Sequence, residues 1–460
     1  MSNCTADWKG ILSIYNMAFS RRETALLLIG DFLLLAVSLW VALGLRNFAF
    51  PAPSYFLENL TPFIPVFLFS LVVFYIAGLY EKPTRPARRA MGERIIGAQV
   101  ANTLLAAVFF FVLPLSIAPK TILVIYLIIS VAAITLWRFY SMSHVAPRER
   151  LAAVLVGHGA AVDEVAEELT HNDRSVVRLV ARIDIAAETS EPLSARVKLA
   201  VSKGAQVVIL DARNAFVARD LPALYGLMLH GIIFVDFSAF YEEAFERVPL
   251  GQIDYAWLLD CLPREHFIYD IVKRALDLGF ATIGILMGMV VVVPSVLVLL
   301  ATGGRPFIFH ERIGRGGALF RIIKLRTMLF NDHGDPELQK QNRVTRFGRL
   351  LRKTRIDELP QLVNVLAGTL SFIGPRPELP QIARVYEQQV PYYHVRHLIT
   401  PGLSGWAQIR DYDAPRGGAD IERTRRKISY DLYYLKHRSL TLDLAITLQT
   451  LRALATFTGT

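Results

Sequence analysis

The sequence predicts an α-helical membrane bundle, then an α/β domain with a parallel sheet, then an α+β domain anchored by a re-entrant membrane helix. Three observations predict this order. Hydrophobic residues make up 53% of the 460 residues and cluster in long runs, short strand-like and helix-like segments then alternate, and basic residues concentrate near the C-terminus. Because the chain is too long for one ordinary domain, we place the three parts at residues 1–148, 149–262 and 263–460.

Four apolar runs define the first part, at residues 24–45, 61–80, 95–115 and 122–137. Their lengths approach the ~20 helical residues that cross a bilayer, so we predict four transmembrane helices. Lys and Arg precede the first run, separate the second from the third and follow the fourth. Since basic loops stay in the cytoplasm, both ends of the bundle are expected there. Asp31, inside the first run, is expected to face neighbouring helices or to lie near the interface.

Several classes of protein are excluded by composition. Cys4 and Cys261 are far apart and lack metal-ligand spacing, so neither a disulfide framework nor a zinc site is expected. The first twenty residues lack the features of a cleaved signal peptide. Residues 301–460 hold 25 Lys and Arg against 14 Asp and Glu, within a net charge of +10. Such a region suits anionic lipid headgroups or phosphorylated substrates, and without a nucleic-acid-binding motif we expect no nucleic-acid partner.

Strand-like segments separated by helical ones begin at Leu151 and predict a parallel sheet. Gly157 and Gly159 resemble the start of a dinucleotide-binding fingerprint, but Val162 stands where its third glycine belongs. Asp184 supplies the ribose-binding acid only loosely. We therefore predict a degenerate Rossmann-like cytoplasmic domain without a bound cofactor, and nucleotide binding is the alternative.

An almost uninterrupted apolar run at residues 275–301 lies between basic flanks. A straight helix of this length would cross the membrane, but both flanks have cytoplasmic character and Pro294 removes a backbone hydrogen bond. We predict a broken, re-entrant helix at about residues 270–302 that enters and leaves by one leaflet. Ser295 is expected to help satisfy the freed carbonyls. A fifth true span with a tolerated proline kink is the alternative.

An acid pair, Asp357 and Glu358, follows a group of basic residues that includes Arg352. An apolar segment then leads to a Gly-Pro-Arg-Pro turn that presents Arg376. Cations keep a carboxylate ionised and screen an approaching phosphate, and the planar guanidinium of arginine binds phosphate oxygens bidentately. Acids are also common in the first turn of a helix, so the pair alone would indicate only a helix start.

The string DELPQLVNVLAGTLSFIGPRPELP, which begins at Asp357, closely resembles the signature of bacterial polyisoprenyl-phosphate hexose-1-phosphate transferases, the large monotopic phosphoglycosyl transferases that initiate polysaccharide synthesis. ERIGRGGALFRIIKLRTM from Glu311, PGLSGWAQI from Pro401 and YDLYYLKHRSLTLDL from Tyr430 are similar to further segments of that family. The resemblance covers essentially the whole chain and is most specific over residues 265–460. It also supports the N-terminal bundle, the Rossmann-like domain and the re-entrant helix.

The resemblance implies that Asp357 is the nucleophile, with Glu358 as its partner. The residues it places around the substrate phosphates are Arg352, Arg376, Pro375, Lys324 and Arg326. It further implies a UDP-sugar donor, an undecaprenyl (polyprenyl) phosphate acceptor, release of UMP through an aspartyl-phosphosugar intermediate, and a Mg²⁺ ion held by the acid pair. The expected setting is the bacterial inner membrane, in contact with its lipids, with the catalytic domain on the cytoplasmic face and the protein a homodimer.

Two other functions compete with this one. A nucleotide-sugar oxidoreductase would need an intact glycine fingerprint and a nearby Tyr-x-x-x-Lys pair, and the sequence has neither. A non-catalytic membrane scaffold would explain the basic surface but not the acid pair. The sequence does not identify the sugar. Arg410 and Asp411 stand where relatives often have Asn-Gly, and His310 stands where many have Gln, so we assign these positions no role.

Overall fold

The computed structural model describes eleven stretches of the chain: residues 21–77, 79–80, 91–112, 120–144, 150–172, 177–186, 191–261, 267–302, 305–329, 336–411 and 420–455. The chain divides into two compact units, one ending at Phe237 and the other beginning at Ser238. The protein is mostly helical, with apolar helices near the N-terminus and small sheets. Both inner domain boundaries that we predicted fall outside the described residues.

The described part of the first unit starts with four apolar helices: α1 (Arg21–Asn47), α2 (Pro53–Ile76), α3 (Met91–Val112) and α4 (Lys120–His144). They share a core of buried residues that includes Leu39, Phe63 and Phe67. Helix α1 from Leu26 and helix α2 are long and apolar enough to cross a membrane, whereas the apolar parts of α3 and α4 are shorter. The number of crossings therefore stays a prediction. The loop at residues 81–90, which carries most of the basic residues between the second and third runs, lies outside the described residues.

Asp31 is fully buried inside this helical bundle. Its carboxylate forms an ion pair with Arg138 of α4 and accepts a hydrogen bond of 2.7 Å from the Tyr80 hydroxyl. Arg138 also donates to the main-chain carbonyl of Leu79, at 2.7 Å. A charge among apolar helices requires such partners because it has left water. The structure thus places Asp31 against neighbouring helices, the first of the two positions expected.

A four-stranded parallel sheet follows, with strand order β2-β1-β3-β4 and helices in the connections. Its elements are β1 (Leu151–Val156), α5 (Ala160–His171), β2 (Val177–Ile183), α6 (Leu193–Ser202), β3 (Val207–Leu210), α7 (Ala215–Met228) and β4 (Ile233–Asp236). The parallel pairing agrees with the alternation in the sequence. At the glycine turn, His158 Nδ1 lies 3.0 Å from Asp184 Oδ1, so the acid already has a protein partner.

The second unit begins with α8 (Phe237–Phe245) and α9 (Tyr255–Cys261), before the boundary that we predicted at residue 262. Val248 and Trp257 are buried in one core with Ile428 and Leu432, which lie far along the chain. The indole nitrogen of Trp406 donates to the carbonyl of Glu246 at 2.9 Å. Burial of these apolar side chains joins residues 238–261 to the C-terminal unit, and the domain boundary at residue 262 stays a prediction.

Among the described residues, the remaining elements of the second unit are two small sheets and the helices around them. They are α10 (Phe267–Ala301), β5 (Phe307–Ile313), β6 (Leu319–Leu325), α11 (Pro336–Gln341), α12 (Arg346–Lys353), α13 (Leu362–Ala367), β7 (Ser371–Ile373), α14 (Pro380–Gln389), β8 (Gly402–Ser404), α15 (Trp406–Arg410), α16 (Ile421–His437) and α17 (Leu440–Ala455). Strands β5 and β6 form an antiparallel hairpin, and β7 pairs with β8 in parallel.

Helix α10 is a continuous element of 35 residues that passes through Pro294. The helix break that we predicted there is therefore not observed. Pro294 cannot donate to the carbonyl of Val290, and the Ser295 hydroxyl does not replace that bond, since it donates instead to Val291 at 2.8 Å. At ~1.5 Å per residue the helix is about 52 Å long, which exceeds the ~30 Å hydrocarbon core of a bilayer.

The N-terminal third of α10 is fixed to the second unit by polar side chains. Lys273 forms a 2.7 Å ion pair with Asp443 of α17. Arg274 donates to the carbonyls of Val365 and Leu366 at the end of α13, both at 2.7 Å. The carbonyls at a helix C-terminus lack partners within their own helix, so Arg274 satisfies two of them and fixes α10 against α13.

The rest of α10 continues along the same unit. Gly284 and Gly288 lie against the side chains of Leu362 and Leu359, and a Cβ atom added at Gly284 would be 3.0 Å from Leu362. At the far end, Arg326 donates to the carbonyl of Leu299 at 3.1 Å. The long apolar helix is therefore in contact with the second unit near both of its ends and in its middle.

Candidate active site

The acid pair lies in a 3₁₀ turn, Ile356–Gln361, between α12 and α13. Arg355 enters this turn in the left-handed region, with φ +57°, a conformation that costs roughly 1–3 kcal/mol for a non-glycine residue. Pro360 and Gln361 are buried behind the pair. The turn thus fixes the two carboxylates beside α10, whose Gly288 contacts Leu359 of the same turn.

Asp357 is 8% exposed, and its Oδ1 has no hydrogen-bond partner among the described residues. Burial and then the charge of Glu358 raise the pKa of Asp357, while Lys324, Arg352 and Arg355 oppose that increase. Burial penalises the charged form, and nearby cations favour it. Asp357 therefore has one oxygen without a hydrogen-bond partner among the described residues, and three nearby cations that favour its ionised form.

Glu358 has close partners of its own. Lys324 Nζ lies 2.6 Å from Oε1, and Arg355 Nη1 lies 3.6 Å from Oε2. Burial opposes ionisation, but Lys324, Arg376 and Arg355 together lower the pKa of Glu358 below its usual value. The two adjacent acids are therefore shifted in opposite directions, which is how a site separates the roles of a carboxylate pair.

Two of the predicted phosphate-binding cations have defined positions near the pair. Lys324, near the end of β6, pairs with Glu358 instead of projecting freely. Arg352 is exposed, and its Nε donates to the Thr327 hydroxyl at 2.8 Å. That bond orients the guanidinium, whose charge acts on Asp357.

Arg326 lies at the C-terminal end of α10. It is 8% exposed and donates to the Leu299 carbonyl at 3.1 Å and to the Thr302 hydroxyl at 3.2 Å. These contacts satisfy the C-terminal end of α10, where helix carbonyls need donors. The contacts of Arg326 in the described residues are therefore structural, and its phosphate-binding role stays a prediction.

The Gly-Pro-Arg-Pro turn is fixed by its main chain. Gly374 donates to Ser404 at 2.8 Å, and Gly402 donates to the carbonyl of Pro375 at 3.0 Å. A Cβ atom at Gly402 would lie 2.1 Å from the Gly374 nitrogen, so only glycine allows this approach. Pro375 is buried and serves the turn, whereas the side chain of Arg376 is exposed and close enough to Glu358 to lower its pKa.

A buried ion network that the sequence analysis missed supports this turn. Arg396 Nη2 donates to the Arg376 carbonyl at 2.9 Å and lies 2.8 Å from Asp431 Oδ2. Glu378 forms an ion pair with Lys427. Burial opposes the charge on Glu378, but Lys427 and Arg396 lower its pKa to about 2. Little in the sequence indicates this network, because its residues are up to 53 positions apart, from Glu378 to Asp431.

The site also allows a test of the predicted magnesium ion. Within the described residues, no three His, Cys, Asp or Glu side chains are grouped as a metal cluster. Mg²⁺ usually takes only one or two carboxylates and completes its shell with substrate phosphates and water. Asp357 fits that pattern through its unpartnered oxygen, whereas Glu358 is already paired with Lys324.

A buried Asp357 and a half-buried Glu358, surrounded by cations on a unit that lies along a long apolar helix, indicate a class: a membrane-associated transferase. Residues 268–457 match the family described as bacterial sugar transferase, and the chain belongs to this family. The resemblance found in the sequence is thereby confirmed.

The chain is similar to proteins of several bacteria, among them the following three. It is 42% identical over 217 residues to the UDP-N-acetylgalactosamine-undecaprenyl-phosphate N-acetylgalactosaminephosphotransferase of Aeromonas hydrophila. This alignment covers 46% of this chain and 50% of that protein. It is 39% identical over 199 residues to the UDP-glucose:undecaprenyl-phosphate glucose-1-phosphate transferase of Caulobacter vibrioides (strain ATCC 19089 / CIP 103742 / CB 15). This alignment covers 42% of this chain and 73% of that protein. It is 43% identical over 157 residues to a putative undecaprenyl-phosphate N-acetylgalactosaminyl 1-phosphate transferase of Bacillus subtilis (strain 168). This alignment covers 33% of this chain and 84% of that protein. The aligned part thus spans half of the Aeromonas protein.

Proposed function

We propose that the protein transfers a hexose 1-phosphate from a UDP-sugar to undecaprenyl (polyprenyl) phosphate and releases UMP. One observation carries this proposal: Asp357 presents a buried carboxylate oxygen without a hydrogen-bond partner in the described part of the chain, within the electrostatic reach of three cations. The names of the relatives support the donor and the acceptor, because both are named there. Those relatives differ in their sugars, so the sugar transferred by this chain is left open.

The proposed chemistry has two steps. Asp357 attacks the phosphorus that bears the sugar, an acyl phosphate bond forms, and the bond to the bridging oxygen breaks so that UMP leaves with that oxygen. An oxygen of the polyprenyl phosphate then attacks the same phosphorus, and the carboxylate of Asp357 is released as the leaving group. Splitting one transfer into two displacements is the usual role of a carboxylate nucleophile.

The neighbouring groups fit this sequence of events. Glu358 is held ionised by Lys324 and keeps that lysine beside the acid pair. Arg352 and Arg376 are exposed and thus accessible to substrate phosphates. A bound Mg²⁺, for which Asp357 offers its free oxygen, would neutralise charge on the phosphates. The residues of the protein bind and orient the donor, and the burial of Asp357 restricts water at the reacting carboxylate.

Contact of α10 with one unit near both ends supports an arrangement in which the helix does not cross the bilayer, and we place it on the cytoplasmic face of the inner membrane. A helix that crossed the bilayer would place Lys273, tied to Asp443, and Leu299, tied to Arg326, on opposite sides of the membrane. One compact unit holds both ends instead. The helix therefore supports a site at headgroup level, where a polyprenyl phosphate presents its phosphate.

We expect Ile268→Cys and Arg305→Cys to be labelled from the same side of the membrane. Both positions are exposed, Ile268 in the first turn of α10 and Arg305 just beyond its end, so a membrane-impermeant thiol reagent should reach both in inside-out vesicles and neither in right-side-out vesicles. Cys4 and Cys261 are first replaced by Ser, and that parent protein serves as the background control. Labelling of the two positions from opposite sides would show that α10 crosses the membrane.

The pH dependence of UMP release should reflect the raised pKa of Asp357. Because only its ionised form attacks, the single-turnover rate should fall, as the pH is lowered, at a value above the usual range of an Asp. Glu358→Gln removes the charge that helps to raise this pKa, so the acid limb should move to lower pH. Glu387→Gln, an exposed change on α14, should leave it in place. An acid limb that stays in place or moves upward in Glu358→Gln would contradict this electrostatic account.

The function is tested by incubating the purified protein with a panel of UDP-sugars, undecaprenyl phosphate and Mg²⁺, and by measuring UMP. We expect UMP from one or a few donors, with a matching lipid-linked product, and loss of both when the metal is chelated. A folded preparation that releases UMP from no donor would favour the scaffold hypothesis. UMP release that persists in the presence of a chelator would show that the reaction does not require the metal.

A further inference from the structure

A second arginine lies beside the Gly-Pro-Arg-Pro turn, on a different element. Arg312 is near the end of β5, and the next residue, Ile313, donates its amide to the carbonyl of Glu378 at 3.1 Å. That bond joins the end of β5 to the residues that follow Arg376. Arg312 consequently lies within the electrostatic reach of Arg376, Glu358 and Glu378.

The guanidinium of Arg312 has no protein acceptor in the described part of the chain. Its Nε is buried and makes no hydrogen bond there. The two nearby carboxylates have other partners, because Glu378 is paired with Lys427 and Glu358 with Lys324. Arg326 also has an unpartnered Nε, but its other nitrogens bond to Leu299 and Thr302. Arg312 shows no such structural use.

Arg312 and Arg376 are like charges held near each other. Burial, together with the charge of Arg376, lowers the pKa of Arg312, and Glu378 opposes this only in part. Two neighbouring guanidiniums that repel each other gain most from an anion with several oxygens, to which each can donate a planar pair of N–H groups. A diphosphate has that charge and shape, whereas a single carboxylate would satisfy only one of the two.

We propose that Arg312 binds the diphosphate of the nucleotide donor together with Arg376. This inference rests on the proposed function for the identity of the donor, but the binding itself does not require transfer. Arg312 approaches from the β5–β6 hairpin and Arg376 from the turn, so the two side chains hold the diphosphate beside Glu358. The hairpin thereby gains a role in substrate binding in addition to its structural one.

The test compares the binding of UDP and of uridine, measured by calorimetric titration of the full-length protein. Arg312→Met should weaken UDP binding by about 10- to 100-fold, the effect of losing hydrogen bonds to a charged group, and should leave uridine binding unchanged. Arg312→Lys should recover only part of the affinity, because lysine lacks the planar fork. Arg315→Met removes the same charge from an exposed position on the same hairpin and should bind UDP like the wild type.

Three results would overturn the inference: UDP affinity unchanged in Arg312→Met, an equal loss of UDP and uridine binding, or wild-type protein that binds UDP no more tightly than uridine. Unchanged melting temperatures identify variants that remain folded. If wild type releases no UMP from any donor and Arg312→Met still loses UDP affinity selectively, the proposed function fails while the binding role stands. The two failures are therefore distinguishable.

Discussion

Asp357→Asn should lower UMP release by at least about 10³-fold, the scale seen when a covalent nucleophile is removed. Asn has nearly the same shape as Asp but cannot form the acyl phosphate. The substitution also removes a buried charge whose pKa is raised by burial and by Glu358. The variant should therefore be as stable as the wild type or more stable, so loss of activity cannot be attributed to unfolding.

The measurement has two parts. Steady-state UMP release is compared for wild type, Asp357→Asn and Glu387→Gln. Glu387→Gln is the control, because it also removes one negative charge, but at an exposed position on α14. Wild type is then incubated with a donor labelled in its sugar, without lipid acceptor, and the protein is examined for covalent label by mass spectrometry. Label on wild type and Glu387→Gln but not on Asp357→Asn is the expected result. An Asp357→Asn protein with activity within tenfold of wild type would place the nucleophile elsewhere.

The second large effect is expected at the buried ion network under the Gly-Pro-Arg-Pro turn. Arg396 and Asp431 are each at most 2% exposed and lie 2.8 Å apart. Breaking such a pair leaves an uncompensated buried charge and typically costs about 3–5 kcal/mol. Arg396→Met should therefore lower the local free energy of opening by that amount, and it also removes the donor to the Arg376 carbonyl.

Amide hydrogen exchange measures this effect locally, since it reports the opening free energy of individual segments. Amides of α16 around Asp431 should exchange about 10²- to 10⁴-fold faster in Arg396→Met. Exchange in the sheet β1–β4, which belongs to the other unit, is the internal control.

The double variant Arg396→Met/Asp431→Leu completes the cycle. It leaves the Glu378–Lys427 pair charge-balanced, so it should be less destabilised than the sum of the single changes. Additive effects would mean that the two side chains do not depend on each other. Protection in Arg396→Met equal to wild type would show that the network does not stabilise α16.

The candidate site was predictable where its residues are close in sequence. Asp357 and Glu358 follow Arg352 within a few positions, and one short helix and one turn bring them together. Long apolar runs likewise predicted the helices α1–α4 and α10, because length and hydropathy alone make such helices. The parallel sheet followed from alternating strands and helices.

Other features depended on contacts that spacing does not reveal. Lys324 and Arg326 are two positions apart on one segment, yet Lys324 pairs with Glu358 and Arg326 with the end of α10. The sequence could not separate these roles. Strand β6 ends between Lys324 and Arg326, and the partner of each side chain is set by the element that packs beside it. The continuity of α10 through Pro294 and its packing along the second unit were likewise visible only in the structure.

The sequence by itself determined the family, the apolar helices and the acid pair with its nearby cations, since each is written in contiguous residues. Only the tertiary structure decided which charges are paired and which are free for a substrate. Arg396, Lys427 and Asp431 are buried beneath the turn that carries Arg376, and Arg312 is left without an acceptor in the described part of the chain. Charges interact over a few ångströms of space and not along the chain, so their partners depend on how distant elements pack.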